Sequence, residues 1–321
     1  MWKTVLRRFL IMIPQLFILS ILVFALGKMM PGDPFTGMIS GDTKGDQLIQ
    51  LREKYGLNKP THEQYIDWIK NIVTKWDFGK SYTYKVPVAQ KIGERAGNTI
   101  KLSLLTLILT YLIAIPLGIL AGRYHNSKID KAIVAYNFIS YAVPTFVLGL
   151  LMLLLFGYKL RLFPVTGSVE IGVQPGTFAY FKSKLHHMIL PAFTAAILRT
   201  TGTIQYLRNE IIDAKTQDYV KTARSKGVPI NKVYTHHIFR NSLLPVAAFF
   251  GFTIYGLLSG SIFIETIFAY PGMGELFISA IQSRDYAIIN ALVLLFGFLL
   301  LLGSLLSDII MSIVDPRIRI D

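Results

Sequence analysis

The stretch "KLSLLTLILTYLIAIPLGILAGR", residues 101–123, carries no charged side chain between Lys101 and Arg123. A run of about 20 apolar residues spans the hydrocarbon of a bilayer, because a helix rises about 1.5 Å per residue. Lys101 and Arg123 stand at its ends, where a cation can reach the polar headgroups. The rest of the chain repeats the pattern. Of its 321 residues, 52% are hydrophobic and only 16% are charged, against about 25% charged in soluble domains. Apolar windows fall at approximately 9–29, 102–121, 132–157, 188–207, 243–265 and 288–312. The composition predicts an all-α polytopic membrane protein with about six transmembrane helices. Pro116, Pro144 and Pro191 lie in or near these windows, where neighbouring helices can satisfy the backbone groups a proline frees.

Charge sets the orientation. With the N-terminus inside, the inner connections hold fifteen Lys and Arg, and the short outer ones hold five. Cytoplasmic loops carry the cationic excess, so both termini are predicted to face the cytoplasm. The net charge of +14 is accounted for the same way, and no nucleic-acid partner is expected. Lys3, Arg7 and Arg8 followed by Phe9–Leu26 also fit a secretory leader. The run is long for one, and "GKMMPGDP" offers no small-residue cleavage site, so a retained first span is expected.

Three regions follow: an N-terminal transmembrane helix at 1–29, an extracytoplasmic segment at 30–101, and a core of five spans at 102–321. Long loops cross a membrane largely regardless of charge, so 30–101 does not enter the count. Within it, Tyr65, Ile69, Ile72 and Trp76 recur at helical spacing, as do Ile66 and Val73. This predicts an amphipathic helix on the outer protein surface or in the membrane interface. A cap over a pathway mouth is the second reading.

Catalytic chemistry finds little support. There is no Cys, so disulfides, thiolate metal sites and cysteine nucleophiles are excluded. "FGKSY" holds Gly79-Lys80-Ser81, but a phosphate-binding loop needs a further Gly where this chain has Thr74. The pairs His186-His187 and His236-His237 lack the i, i+4 spacing of helix-borne metal ligands. Ser259 has no plausible base. Neither a catalytic site nor a metal site is expected, and no cofactor is expected on this chain.

The fourth window is unusually polar. Thr194, Thr201 and Gln205 share one helical face, and Arg199 and Thr203 lie on the other side. Such a helix has little face left for lipid and should be buried in the bundle or line a wet cavity. An arginine at mid-membrane depth costs about 2.5–3.5 kcal/mol on insertion scales. It either serves a pathway or pairs structurally, with Glu265 as a candidate partner.

The connection at 208–242 is the richest cytoplasmic feature. In "DYVKTARSKG", residues 218–227, Asp218 stands at a helix start, where a carboxylate suits the positive dipole end and can cap free N–H groups. Tyr219, Val220, Thr222 and Ala223 form a mixed apolar face, and Lys221, Arg224 and Ser225 take the opposite side. Lys226 falls at the negative end, and Gly227 and Pro229 supply stop signals. Asn231–Arg240 predicts a second helix. Two short helices at the cytoplasmic surface make a docking platform.

"DYVKTARSKG" followed by "RNSLLP" resembles the cytoplasmic loop of ABC-transporter permease subunits. The E-A-A triplet of that loop reads Lys221-Thr222-Ala223 here, a departure resembling the dipeptide/oligopeptide/nickel subgroup. "PGDP", "FGKSY", "NTIKLSLL", "ETIFAYPGMGELFISAIQSRDY" and "DPRIR" resemble that subgroup too and cover essentially the whole chain. The resemblance implies a type I ABC importer permease fold in the plasma membrane. It implies a second homologous permease, two cytosolic ATPase subunits that bind ATP and Mg, and an extracytoplasmic substrate-binding protein as partners, in membrane lipid. The ATPase contact would fall on Asp218, Tyr219, Val220, Thr222, Ala223, Arg224, Lys226 and Gly227. The solute would be an oligopeptide or dipeptide, with nickel or another small solute as the alternative.

Overall fold

A computed structural model describes residues 2–30, 49–50, 52–53, 56–242, 256 and 261–314. "PGDP", Ser259, "DPRIR", and most of the fifth window lie outside these residues.

The first helix, α1 (Trp2–Met29), carries apolar side chains from Phe9 to Leu26 except at Gln15 and Ser20. Yet among its residues with described burial only Met12, Ser20, Val23, Phe24 and Gly27 are buried. The 3–4 spacing of these residues marks one narrow stripe of contact. Leu10, Ile13, Phe17, Leu22 and Leu26 are exposed on the remaining circumference, a surface suited to acyl chains rather than water. The stripe packs on the last helix, called α11 below (Tyr286–Val314). Arg8 pairs with Asp308 at 3.2 Å, a Cβ on Gly297 would collide with Leu19, and a Cβ on Gly27 would come within 3.1 Å of Asn290. As the α1 number rises the α11 number falls, so the two helices run antiparallel.

Between them, α2 (Thr61–Lys75) crosses the outer part of α1. Tyr65 and Trp68 pack on Phe24 at 5.4 and 5.6 Å between ring centroids, and Tyr65 Oη hydrogen-bonds Ser20 Oγ at 2.8 Å. Ile66, Val73 and Trp76 remain exposed. One face of α2 therefore packs on protein while the other is uncovered. A tight turn follows, with Val88 N–H donating to Gly79 O. Ser81 Oγ donates to the buried carboxylate of Asp285, 2.5 Å away, which also accepts from Thr83 N–H. The Ser of "FGKSY" ties this turn to the start of α11.

Pro87 opens α3 (Val88–Arg123), 36 residues or about 54 Å at 1.5 Å per residue. The helix carrying the second apolar window therefore begins well before residue 102, and its first turns project beyond the hydrocarbon. It packs along α6 (Phe178–Ala214). Two glycines allow the approach: a Cβ on Gly118 would meet Leu207 at 3.0 Å, and one on Gly122 would meet Ile211 at 2.7 Å. Both numbers rise together, so α3 and α6 run parallel.

The third apolar window is not one straight span. α4 (Lys128–Ala142) ends at Val143 and α5 (Thr145–Met152) begins after Pro144, continuing as a π-helix at Leu153–Lys159. The two segments meet at 101°. Pro144 has no N–H to continue the ladder and drives the preceding residue out of the helical region; Val143 sits at φ −82°, ψ 119°. Hydropathy alone reads the pair as one window. Among the described residues three further helices, Val5–Met29, Val88–Arg123 and Tyr286–Ile310, are long and apolar enough to cross a membrane.

After α6 come α7 (Asp218–Ser225) and a helix, α8, that starts at Ile230–Lys232, passes a π-helical turn at Val233–Ile238 and is described as far as Phe239–Ser242. The short α9 (Ile262–Ile267) and α10 (Met273–Gln282) lead into α11. The fully buried Glu265 carboxylate accepts from Thr99 Oγ1 at 3.0 Å and from the N–H groups of Gly274 and Glu275 at 2.7 and 3.3 Å. It caps α10, whose first amides would otherwise be orphaned in the bundle. A Cβ on Gly272 would lie 2.3 Å from Glu265 Oε2. Tyr270 is buried against α3 and α6, and Met273 against α3 and α11, so the turn at "AYPGMGE" packs into the bundle.

Val88 and Ile92 of α3 pack with Ile288 and Leu292 of α11. The N-terminal ends of α3 and α11 therefore share one face with the C-terminal end of α1. On the opposite face lie the start of α1, the C-terminal ends of α3, α6 and α11, and α7. The chain is all-α and polytopic.

Candidate functional site

Helix α7 has two distinct sides. Val220 and Ala223 are buried against Leu207, Ile211 and Ala214 of α6 and Val233 and Ile238 of α8. They point into the chain itself. Asp218, Tyr219, Lys221, Thr222, Arg224, Ser225, Lys226 and Gly227 are exposed on the other sides. The single apolar face inferred from sequence thus divides: Val220 and Ala223 anchor the helix, while Tyr219 and Thr222 are presented outward. The three-residue spacing of Val220 and Ala223 is the signal that could have separated them.

Local chemistry fixes the helix ends. Gln217 is the N-cap residue, and no side chain caps there. The Asp218 carboxylate accepts from Lys221 Nζ at 2.9 Å instead, because at the first helical position it faces the next turn. At the other end Val228 N–H donates to Ala223 O and Gly227 N–H to Arg224 O, a Schellman closure. Gly227 has φ +73°, and a Cβ there would meet nothing within 4 Å. What demands glycine is the left-handed backbone, and the space around it is open.

The platform under α7 is braced by charge. Arg208 holds Asp130 through two hydrogen bonds, Nε to Oδ1 at 2.6 Å and Nη2 to Oδ2 at 2.9 Å. Asp130, at the start of α4, also accepts from Asn126 N–H. The Arg208 guanidinium, through this bidentate bond, holds the Asp130 carboxyl below the usual range, and Arg208 is raised in turn. Lys215 Nζ donates to the carbonyls of Gly122 and Arg123 at the end of α3, where a cation meets the negative dipole end. Burial there lowers its pKa. Arg123 bonds Asn231 Oδ1 at 2.8 Å and lies 4.9 Å from the Tyr234 ring centroid. α7 is thereby joined through its buried face to α6 and α8, and through these cations to α3 and α4.

The polar residues of α6 do not form one cluster. Thr194 is fully buried, with Oγ1 donating to Leu190 O at 2.7 Å, and Thr201 Oγ1 is also inside. Arg199 and Gln205 are exposed, and Thr203 lies between these extremes. Gln205 Nε2 reaches Asn209 Oδ1 at 3.5 Å. Arg199 shares its open face with Gly202, Tyr206 and Asn209, residues at three- and four-residue spacing that the reading from sequence passed over. Among the described residues Arg199 has no hydrogen-bond or ion-pair partner, and a Cβ on Gly256 would lie 3.8 Å from its Nη1. Glu265 is not that partner, since its oxygens bond Thr99 and the amides of α10.

The histidines make ordinary polar contacts: His186 Nε2 with Leu162 O and His187 Nδ1 with Ser183 O. No group of three or more His, Cys, Asp or Glu is placed to hold a metal among the described residues.

Comparison with known proteins places this arrangement. Residues 114–320 match the family model described as "Binding-protein-dependent transport system inner membrane component", and residues 1–103 match its N-terminal counterpart. The chain belongs to this family. The oligopeptide transport system permease protein AppB of Bacillus subtilis is 39% identical over 316 residues, 98% of both chains. The dipeptide transport system permease protein DppB of Lactococcus lactis is 32% identical over the full length of both. The glutathione transport system permease protein GsiC of Escherichia coli is 33% identical over 99% of both. Among solved structures, a chain of the inward-facing MetNI methionine ABC transporter superposes with a TM-score of 0.57 at 13% identity. The match covers 71% of this chain and 97% of that one. The protein therefore has an ABC importer permease fold.

Proposed function

We propose that this chain is one permease subunit of an ATP-driven importer of oligopeptides or dipeptides in the plasma membrane. A second homologous permease completes the pathway, two cytosolic ATPase subunits bind ATP and Mg, and an extracytoplasmic protein delivers the peptide. The observation that carries this reading is the two-sided α7. Its exposed face, with Tyr219, Thr222, Arg224 and Lys226, is free to enter a partner's cleft, while Val220 and Ala223 lock it to the bundle.

A push on α7 is transmitted because Val220 and Ala223 pack directly on α6 and α8. Lys215 and the Asp130–Arg208 pair carry the load to α3 and α4. Such an element can switch a bundle between inward- and outward-open states as nucleotide binds and leaves the ATPases. Both termini lie on the α7 side of the membrane in this reading. The antiparallel α1–α11 pair and the cationic excess of the inner connections support that. The open face of α6, with Arg199, Gly202, Tyr206 and Asn209, is the surface best placed to meet the partner permease and the solute. It would favour peptide over nickel, since a nickel path would want imidazole, thioether or carboxylate ligands.

The test is uptake by the assembled transporter of a labelled dipeptide, a labelled pentapeptide and nickel. Peptide accumulation dependent on ATP, with no nickel accumulation, is expected. ATP-dependent nickel uptake without peptide uptake would overturn the substrate assignment and leave the permease role standing.

A further inference from the structure

Helix α2 leans on α1 through three contacts at different heights. Gln64 Oε1 accepts from Lys28 Nζ, the Trp68 ring packs on Phe24, and Tyr65 Oη meets Ser20 Oγ at 2.8 Å. Lys28 lies in the last turn of α1. Phe24 and Ser20 lie about 6 and 12 Å further in, at 1.5 Å per residue. Ser20 is only 2% exposed and belongs to the apolar run Phe9–Leu26. The three contacts give α2 a direction: its surface from Gln64 through Trp68 to Tyr65 runs from the end of α1 towards the middle of the membrane.

Helical geometry, about 100° per residue, extends that path around α2. Beyond Tyr65 come Trp76, Ile69, Val73 and Ile66, and His62 of the first turn is the one polar side chain on this arc. Ile66, Val73 and Trp76 are 59%, 73% and 78% exposed. Lys70, Glu63 and Asp67 take the remaining side and are exposed too, with Asp67 paired to Lys59. The uncovered apolar arc therefore follows the face of α2 that reaches deepest along α1, and the carboxylates point the other way. At the same heights Ile21, Leu22 and Leu26 of α1 are exposed, so this level of the bundle already presents an acyl-chain surface.

We propose that α2 is a membrane-surface helix that inserts into the outer leaflet. Ile66, Ile69, Val73 and Trp76 lie among the glycerol and upper acyl groups of the lipid, and Glu63 and Asp67 face water. Lys70, beside Ile66 at the edge of the arc, meets the lipid phosphates. A tryptophan and a lysine flanking an apolar stripe suit this depth. Tyr65 and Trp68 fasten the inserted helix to α1, whatever solute the permease carries. The leaflet named rests on the orientation proposed above. Labelling of Asp67→Cys by a membrane-impermeant thiol reagent in right-side-out vesicles tests that orientation separately.

The chain has no native cysteine, and the four positions used here are exposed, where substitution costs little stability. Ile66→Cys, Val73→Cys, Asp67→Cys and Thr74→Cys each carry a nitroxide in the full chain. Each is reconstituted with the subunits that co-purify with it into vesicles of phosphatidylethanolamine and phosphatidylglycerol. Electron resonance then reads collisions with oxygen, which concentrates in hydrocarbon, and with a water-soluble nickel chelate. The ratio of oxygen to chelate collisions is expected to be several-fold higher at 66 and 73 than at 67 and 74. A ratio at 66 and 73 no higher than at 67 and 74 would put the arc in water and overturn the proposal. Low collision with both reagents at 66 and 73 would show a protein surface covering the arc and overturn it equally.

Discussion

Two residues show how local physics sets the behaviour of the platform around α7. Asp130 is 2% exposed and held by Arg208 through two hydrogen bonds. Removing one partner of a buried pair leaves the other charge uncompensated and costs on the order of 3 kcal/mol. Asp130→Asn should therefore lower the thermal midpoint of the purified protein. Because the folded Asp130 carboxyl is held low by Arg208, its contribution is complete above the ordinary carboxylate range. It is lost as pH falls through the folded value. Thermal unfolding across pH checks this: the advantage of wild type over D130N should be constant at neutral pH and fade in acid. An advantage that grows in acid would have the wrong sign. Gly227, at φ +73° in open space, is the second case. Gly227→Val forces a β-branched residue into the left-handed region, at a cost of about 1–2 kcal/mol. Uptake should fall while membrane insertion is normal. Gly227→Asn, which tolerates that region better, should recover much of the activity.

At the level of elements, the apolar windows were legible because hydropathy sums over about 20 residues and tolerates local irregularity. The same summation hides the 101° bend between α4 and α5. Only Pro144 announced it, and a proline in a membrane helix can as readily leave a mild kink. The amphipathic pattern of α2 was legible for the same reason as the spans, since burial of one face repeats every turn. The Asp285 tie to Ser81 and the Glu265 cap on α10 were not. Each joins residues far apart in sequence or depends on a turn whose shape no local pattern states. Pro144→Ala should restore the missing N–H and straighten the break. A pair of spin labels at positions 132 and 155 should then report a longer separation by electron resonance, with uptake impaired. An unchanged distance would mean that packing, rather than the proline, sets the bend.

For the whole molecule, the parallel α3–α6 pair and the antiparallel α1–α11 pair put the basic helix α7 at the same end of the bundle as the start of α1. Sequence marked α7 as a docking element but assigned its faces too broadly. Val220 and Ala223 belong to the chain's own core, and the outward surface is Tyr219, Thr222, Arg224 and Lys226. The absence of native cysteine makes this division directly measurable. Thr222→Cys and Val220→Cys would each carry a thiol-reactive photo-crosslinker in the assembled transporter, applied after folding. The account predicts an adduct between this chain and a cytosolic ATPase subunit from position 222, and none from position 220. No ATPase adduct from Thr222→Cys, or an equal one from Val220→Cys, would contradict it.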